Sequence, residues 1–202
     1  MRWFARILSI VLHPVFMPLY TLAVLIYLDP RMAWFLHDEL RITTLGMIAL
    51  LTVVFPLVSA LLLVHAGLVS NLTMPEGRER IGPYMFTLFY HGMAWYLLDR
   101  LPLHPAIGRF LIGAAIALLI ALLITVRWKI SLHMVGIGGV AGTFFALGYL
   151  SIPVFFPLVV VVLVLAGALG TARLVDGAHD RGQVYAGFML GMSALFLGQT
   201  WP

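Results

Sequence analysis

The sequence predicts an all-α integral membrane protein, a bundle of about six to seven transmembrane helices, and three observations carry that prediction. Hydrophobic residues make up 62% of the 202-residue chain and charged residues only 10%, where a soluble domain carries about a quarter charged residues. Mean hydropathy is +1.06. The polar residues gather into short knots separated by apolar runs about 20 residues long, the length that crosses the hydrocarbon core of a bilayer. Six or seven such runs with short loops account for the chain, so residues 1–202 read as one transmembrane domain.

The first span covers about 3–28. Arg2 and Arg6 give it the basic flank of a signal peptide, but its apolar run reaches Leu28 without a small-residue cleavage site, so it reads as a retained helix. Pro14 and Pro18 should kink it, which a bundle tolerates where neighbours compensate. Residues 29–41 form a polar loop. Span two, 42–65, is the cleanest, with a kink expected at Pro56. Gly82-Pro83 opens span three, 84–98; Asp99 to Pro105 is a turn; span four is 106–126. The apolar stretch between Lys129 and Arg173 is nearly two spans long and should divide near Gly148 to Pro153, giving spans 132–150 and 153–171. Span seven is 183–200. Trp3, Trp34, Trp95, Trp128 and Trp201 fit interfacial belts. Gly136, Gly138, Gly139 and Gly142 predict close helix packing, because a phosphate-binding glycine loop would end in Lys-Ser/Thr and this one does not.

Three polar knots interrupt this pattern: Met74 to Arg80, Arg127 to His133, and Ala172 to Gln183. They follow spans two, four and six. An even number of crossings separates them, so all three lie on one face whichever way the chain inserts. Charge beside a membrane-length segment is costly, and by default marks function. In the third knot His179 and Gln183 are four apart, so a shared helix face would let the Gln side chain orient the imidazole. Gly177, between Arg173 and His179, permits a tight change of direction. In the second, Ser131 and His133 stand at the start of a helix, whose free amides favour an anion, with Arg127 and Lys129 just before them. The first adds Arg78 and Arg80.

Several cations, a helix N-terminus and two imidazoles on one face suit phosphoryl transfer without a metal. Arg and Lys neutralise the phosphate oxygens, one His attacks phosphorus, the other protonates the departing oxygen, and water is the acceptor. No cofactor is expected. With no Cys in the chain, thiolate chemistry is excluded, and the seven His offer no pair at metal spacing with a third partner nearby. His13, His65 and His91 are expected to be hydrogen-bonded bundle residues. The net charge of +4 is scattered, without the Lys/Arg run that nucleic acid would call for.

The knots resemble the signatures of the type 2 phosphatidic acid phosphatases, a family of membrane lipid phosphatases. The third signature of that family, Ser-Arg, five residues, His, three residues, Asp, aligns with Ala172-Arg173, His179 and Gln183; the second, Pro-Ser-Gly-His, with Ile130-Ser131-Leu132-His133. The first, Lys, six residues, Arg-Pro, is matched only loosely: Arg80 lies seven residues after Thr73, Pro83 is nearby, and there is no Lys. The resemblance implies that His179 is the nucleophile forming a phosphohistidine and His133 the general acid. It implies that Arg173 and Ser131 grip the phosphate, with Arg80, or else Arg78, as the first-signature Arg and Lys129 or Arg78 in place of the missing Lys. Gln183 replaces a carboxylate that would stabilise the imidazolium, unless Asp176 or Asp180 substitutes. The substrate implied is a lipid phosphomonoester or diphosphate presented from the surrounding membrane lipids. A degenerate site that binds lipid phosphate without hydrolysing it is the alternative.

Eight Lys and Arg flank the face with the knots and four the other, but Arg78, Arg80, Lys129 and Arg173 are themselves candidate ligands. Arg2 and Arg6 then favour a cytoplasmic N-terminus and a cytoplasmic site, in the cell membrane (the inner membrane of a bacterium).

Overall fold

Prolines decide where the first two rods break. The computed structural model describes residues 2–32, 36–72, 74, 77–150 and 152–201, Arg2 by its backbone alone; Trp34, Thr73, Pro75 and Glu76 lie outside the described residues. Helix α1 (Arg2–Val11) stops short of Pro14, whose ring carries no N–H to continue the ladder. His13, in extended conformation, caps a 3₁₀ turn (Pro14–Phe16) by accepting the Val15 N–H on Nδ1 at 3.4 Å, and α2 (Met17–Leu28) resumes. The second rod joins α3 (Asp38–Ala49) to α4 (Phe55–His65) through a π turn (Leu50–Val54). Pro56, just beyond that turn, has no N–H for the Thr52 carbonyl four residues earlier. Five uninterrupted helices follow: α5 (Ile81–Leu98), α6 (Pro105–Thr125), α7 (Leu132–Tyr149), α8 (Phe155–Val175) and α9 (Arg181–Thr200). Pro105 occupies the first position of α6, where its missing N–H costs nothing.

Among the described residues these are seven helical rods and no strand: an all-α membrane bundle. Five of them, Trp3–Leu28, Asp38–His65, α6, α7 and α8, are long and apolar enough to cross a membrane. The rods begin and end within a few residues of the spans read from the sequence. One difference matters. The sixth rod runs to Val175 rather than 171, so Arg173 is held on the last helical turn and not in a loop.

Helix α7 is the central post, with 72% of its apolar window buried. Its most extensive partner is α9, and glycines set the spacing. A Cβ on Gly138 would stand 2.2 Å from the Phe188 carbonyl oxygen, on Gly142 2.2 Å from that of Met192, and on Gly191 1.9 Å from that of Val135. Backbone touches backbone here, as small residues allow between membrane helices, and the close packing expected of Gly138 and Gly142 is what they provide. Helix α1 lies along α8 with Ala5 and Ser9 buried and Trp3, Phe4, Ile7 and Ile10 exposed. On the face away from the knots two ion pairs form: the buried Asp29 carboxylate holds Arg31 at 2.7 Å, and Asp38 lies 3.4 Å from Arg41.

Candidate functional site

The three knots meet. Gly77 of the first packs so closely on the end of α6, two residues before the second, that a Cβ would lie 3.3 Å from the Thr125 carbonyl oxygen, and a Cβ on Gly182 of the third would lie 3.5 Å from the Trp128 ring of the second. Beneath them a cavity of ≈ 710 Å³ descends between the helices, and Arg80, His133, Arg173, Asp176 and His179 share its wall with Arg6, Ser9 and His13.

The third knot is shaped by two helix ends. Helix α8 closes in a Schellman turn: the Ala178 N–H donates to Arg173 O (3.2 Å), the Gly177 N–H to Leu174 O (3.0 Å), and Gly177 takes φ +63°. Asp180 then caps α9, accepting the Gln183 N–H at 2.9 Å, while Gln183 Oε1 accepts the Asp180 N–H at 3.4 Å in a capping box. The same Oε1 lies 2.9 Å from His179 Nδ1. An oxygen already accepting the Asp180 amide must accept again, so Nδ1 carries the proton and Nε2 has the free lone pair. His179 thus precedes the helix, and the cap, not a shared helix face, joins it to Gln183. Asp180 is committed to that cap and does not replace the missing carboxylate; Asp176 lines the cavity beside Arg173. Burial, with Arg173, Arg80 and Lys129 close by, holds the His179 imidazole down to about 4, against a raising contribution from the Gln183 bond.

At the start of α7, Ser131 is the N-cap residue but makes no cap bond; it is fully buried and its Oγ has no partner. It sits under α9, where a Cβ on Gly187 would lie 2.6 Å from the Ser131 carbonyl oxygen, and it is not on the cavity wall. Residues two apart on a helix do not share a face: His133 lines the cavity, while the Ser131 backbone is packed against α9 and the residue is off the wall. His133 Nε2 lies 3.1 Å from the Ser9 carbonyl oxygen, so it donates there. Arg173 Nη1 donates to Ser9 Oγ at 3.2 Å, and its buried Nε has no partner. The ring of His13 meets that of His133 edge-on, centroids 5.1 Å apart. Since His13 Nδ1 accepts from Val15, its Nε2 carries the proton.

In the first knot, Met74 adopts φ +45°, a left-handed conformation strained for a side chain of its size. Its carbonyl accepts Arg80 Nε at 3.0 Å and fixes that guanidinium at the cavity mouth. Arg78 is exposed and not on the wall. Lys129 is not on the wall; burial, then the charges of Arg80 and Arg173, lower its pKa. Among the described residues no trio of His, Asp or Glu stands at metal-ligand spacing.

The structure therefore gathers Arg80, His133, Arg173 and His179, with Lys129 beside them and Gln183 touching His179; Ser131 and Arg78 stay apart. Sequence reasoning passed over Arg6 and Ser9 and read His13 and His91 as hydrogen-bonded bundle residues; all four are on the wall. A signal existed for two of them. His13 precedes Pro14 at a helix break, and Arg80, Tyr84, Thr87 and His91 recur at helical spacing. Comparison with family models, curated proteins and solved structures returns no match for the chain.

Proposed function

We propose that this protein is a membrane lipid phosphate phosphatase, acting on a phosphomonoester or diphosphate headgroup through a phosphohistidine on His179. One observation supports this reading above the others: a neutral imidazole with Nε2 free lines a cavity among Arg80, Arg173 and Lys129. The order and spacing of the knots, which resemble the type 2 phosphatidic acid phosphatases, point the same way. A phosphate group is a few waters in size at ~30 Å³ each, a minor part of the ≈ 710 Å³ available. The remainder lies between apolar helices and suits a lipid chain.

In the proposed reaction the phosphate sits at the mouth, its oxygens taken by Arg173, Arg80 and the free amides that begin α7. His179 Nε2 bonds to phosphorus as the P–O bond to the lipid breaks. The departing oxygen takes its proton from His133, which acts as an imidazolium once the phosphate is bound: its Nε2–H stays on the Ser9 carbonyl, the proton on Nδ1 is transferred, and a neutral ring remains, with His13 packed against it. Water then attacks phosphorus as the N–P bond breaks, giving its proton to His133 Nδ1, and phosphate and neutral His179 are released. The route uses no metal. The reading puts the site on the cytoplasmic face of the cell membrane, from Arg2 and Arg6 at the start of the first span.

The test is phosphate release by purified protein from phosphatidic acid, phosphatidylglycerophosphate and polyprenyl diphosphate without added metal. His179→Ala should abolish it, and His133→Ala should cost about 10²–10⁴-fold. Unchanged release in both variants ends the mechanism.

Gln183 favours a second reading, a lipid-phosphate binder without turnover, because a neutral amide supports a cationic imidazole less than a carboxylate does. Gln183→Glu keeps the reach of the side chain and its cap while adding the charge. A weak enzyme gains turnover from it; a binder does not.

A further inference from the structure

One residue outside the three knots touches two of the groups that the proposed reaction uses. Ser9, in the last turn of α1, lines the cavity and is only 7% exposed. Its carbonyl accepts His133 Nε2 at 3.1 Å, and its Oγ accepts Arg173 Nη1 at 3.2 Å. The helix break before Pro14 releases that carbonyl: the His13 N–H, four residues on, donates to Ile10 O at 3.3 Å instead. The hydrogen of the hydroxyl is what remains. Four other buried hydroxyls, those of Thr21, Thr52, Thr125 and Thr143, donate to the carbonyl four residues earlier, at 2.7–2.9 Å. Ser9 does not do this with Ala5, and among the described residues its Oγ donates to no acceptor. A buried donor without a partner is costly, and buried polar groups are paired with protein, water or ligand. Since Arg173 holds the oxygen, and Arg80 and His179 share the wall, the acceptor that suits this hydrogen is an anion in the cavity.

We infer that Ser9 is a substrate-binding residue, its hydroxyl donating to a phosphate oxygen that Arg173 also holds. It takes the part expected of Ser131, which is off the wall. The inference deepens the phosphatase reading and rests on it for the phosphate in the cavity. Two contacts then come from one residue by different routes. The side chain grips the anion, while the backbone carbonyl keeps the Nε2–H of His133 and leaves Nδ1 for the substrate. A change of side chain at Ser9 removes the first contact and spares the second.

The experiment measures binding of hexadecyl monophosphate, and of hexadecyl methyl ether as the uncharged control, to the detergent-purified protein by calorimetry. Ser9→Ala, which keeps a small residue against α8, should weaken the phosphate about tenfold or more and leave the ether unchanged. Ser9→Cys, a weaker donor, should fall between. The same loss should recur when Ser9→Ala is added to Arg173→Ala, because the hydroxyl meets the phosphate itself. Unchanged phosphate binding in Ser9→Ala overturns the inference and leaves the phosphatase reading standing. So does a loss that vanishes in the Arg173→Ala background, since the hydroxyl would then only position Arg173. A loss shared by the ether in both Ser9 variants also overturns it, the hydroxyl then supporting the helix and not the anion. A phosphate-specific loss in a protein that releases no phosphate upholds the inference and overturns turnover alone. A wild type that binds the phosphate no better than the ether overturns both.

Discussion

His179 owes its charge state to its surroundings, and the direction of each influence can be tested. Burial acts first, and Arg173, Arg80 and Lys129 add to it, bringing the imidazole to about 4. The unfolded chain takes up this proton below about 6.5, whereas the folded one resists until about 4. The stabilisation is therefore present above 6.5 and lost as pH falls through 4, at up to ~1.4 kcal/mol per pH unit between them. In thermal melts across that window wild type should lose stability relative to His179→Leu as pH falls, and a difference between the two that does not change with pH would contradict the account. In kcat/KM the acid limb should fall near 4 rather than near the ordinary value of about 6.5. Arg173→Gln should move that limb up, because a cation is removed. Gln183→Ala should move it down, because the bond that raises the pKa is lost. Shifts of the opposite sign would mean that these groups do not act on His179.

At the scale of elements, glycines carry the construction. Gly191→Ala forces a methyl onto the Val135 carbonyl, where a Cβ would lie 1.9 Å away. It should cost about 1–3 kcal/mol by prising α7 from α9. Gly46→Ala and Gly167→Ala meet nothing within 4 Å and should stabilise by up to about 1 kcal/mol through helix propensity. Gly177→Ala, at φ +63°, should cost about 1–2 kcal/mol and loosen the turn that delivers His179. Denaturation in detergent, followed by helical signal, separates the three cases. The helices themselves were legible in the sequence, because a bilayer demands apolar runs of fixed length and gathers charge at their ends. Side-chain direction was not. Ser131 and His133 read as a pair, yet of the two only His133 lines the cavity. His179 and Gln183 read as neighbours on a helix, yet a capping box joins them.

For the whole molecule, crossing parity placed three distant knots on one face, and the packing brings them onto one cavity. It could not be read from the knots alone that α1 would fold in beside them. Its Ser9 ties His133 to Arg173, and its following break supplies His13, because what moves α1 against α8 is burial of Ala5 and Ser9 between apolar surfaces. The two faces then differ in kind. On one, Arg31 and Arg41 each have a carboxylate beside them, Asp29 and Asp38; on the other, Arg80, Lys129 and Arg173 press on one another and on His179. A cluster of cations around one cavity is the feature from which anion binding is proposed. Calorimetric titration of the purified protein with inorganic phosphate addresses that directly. The account predicts a single site, weakened about tenfold or more by Arg173→Ala and by Arg80→Ala and untouched by Arg78→Ala. No binding, or binding indifferent to Arg173 and Arg80, would contradict it.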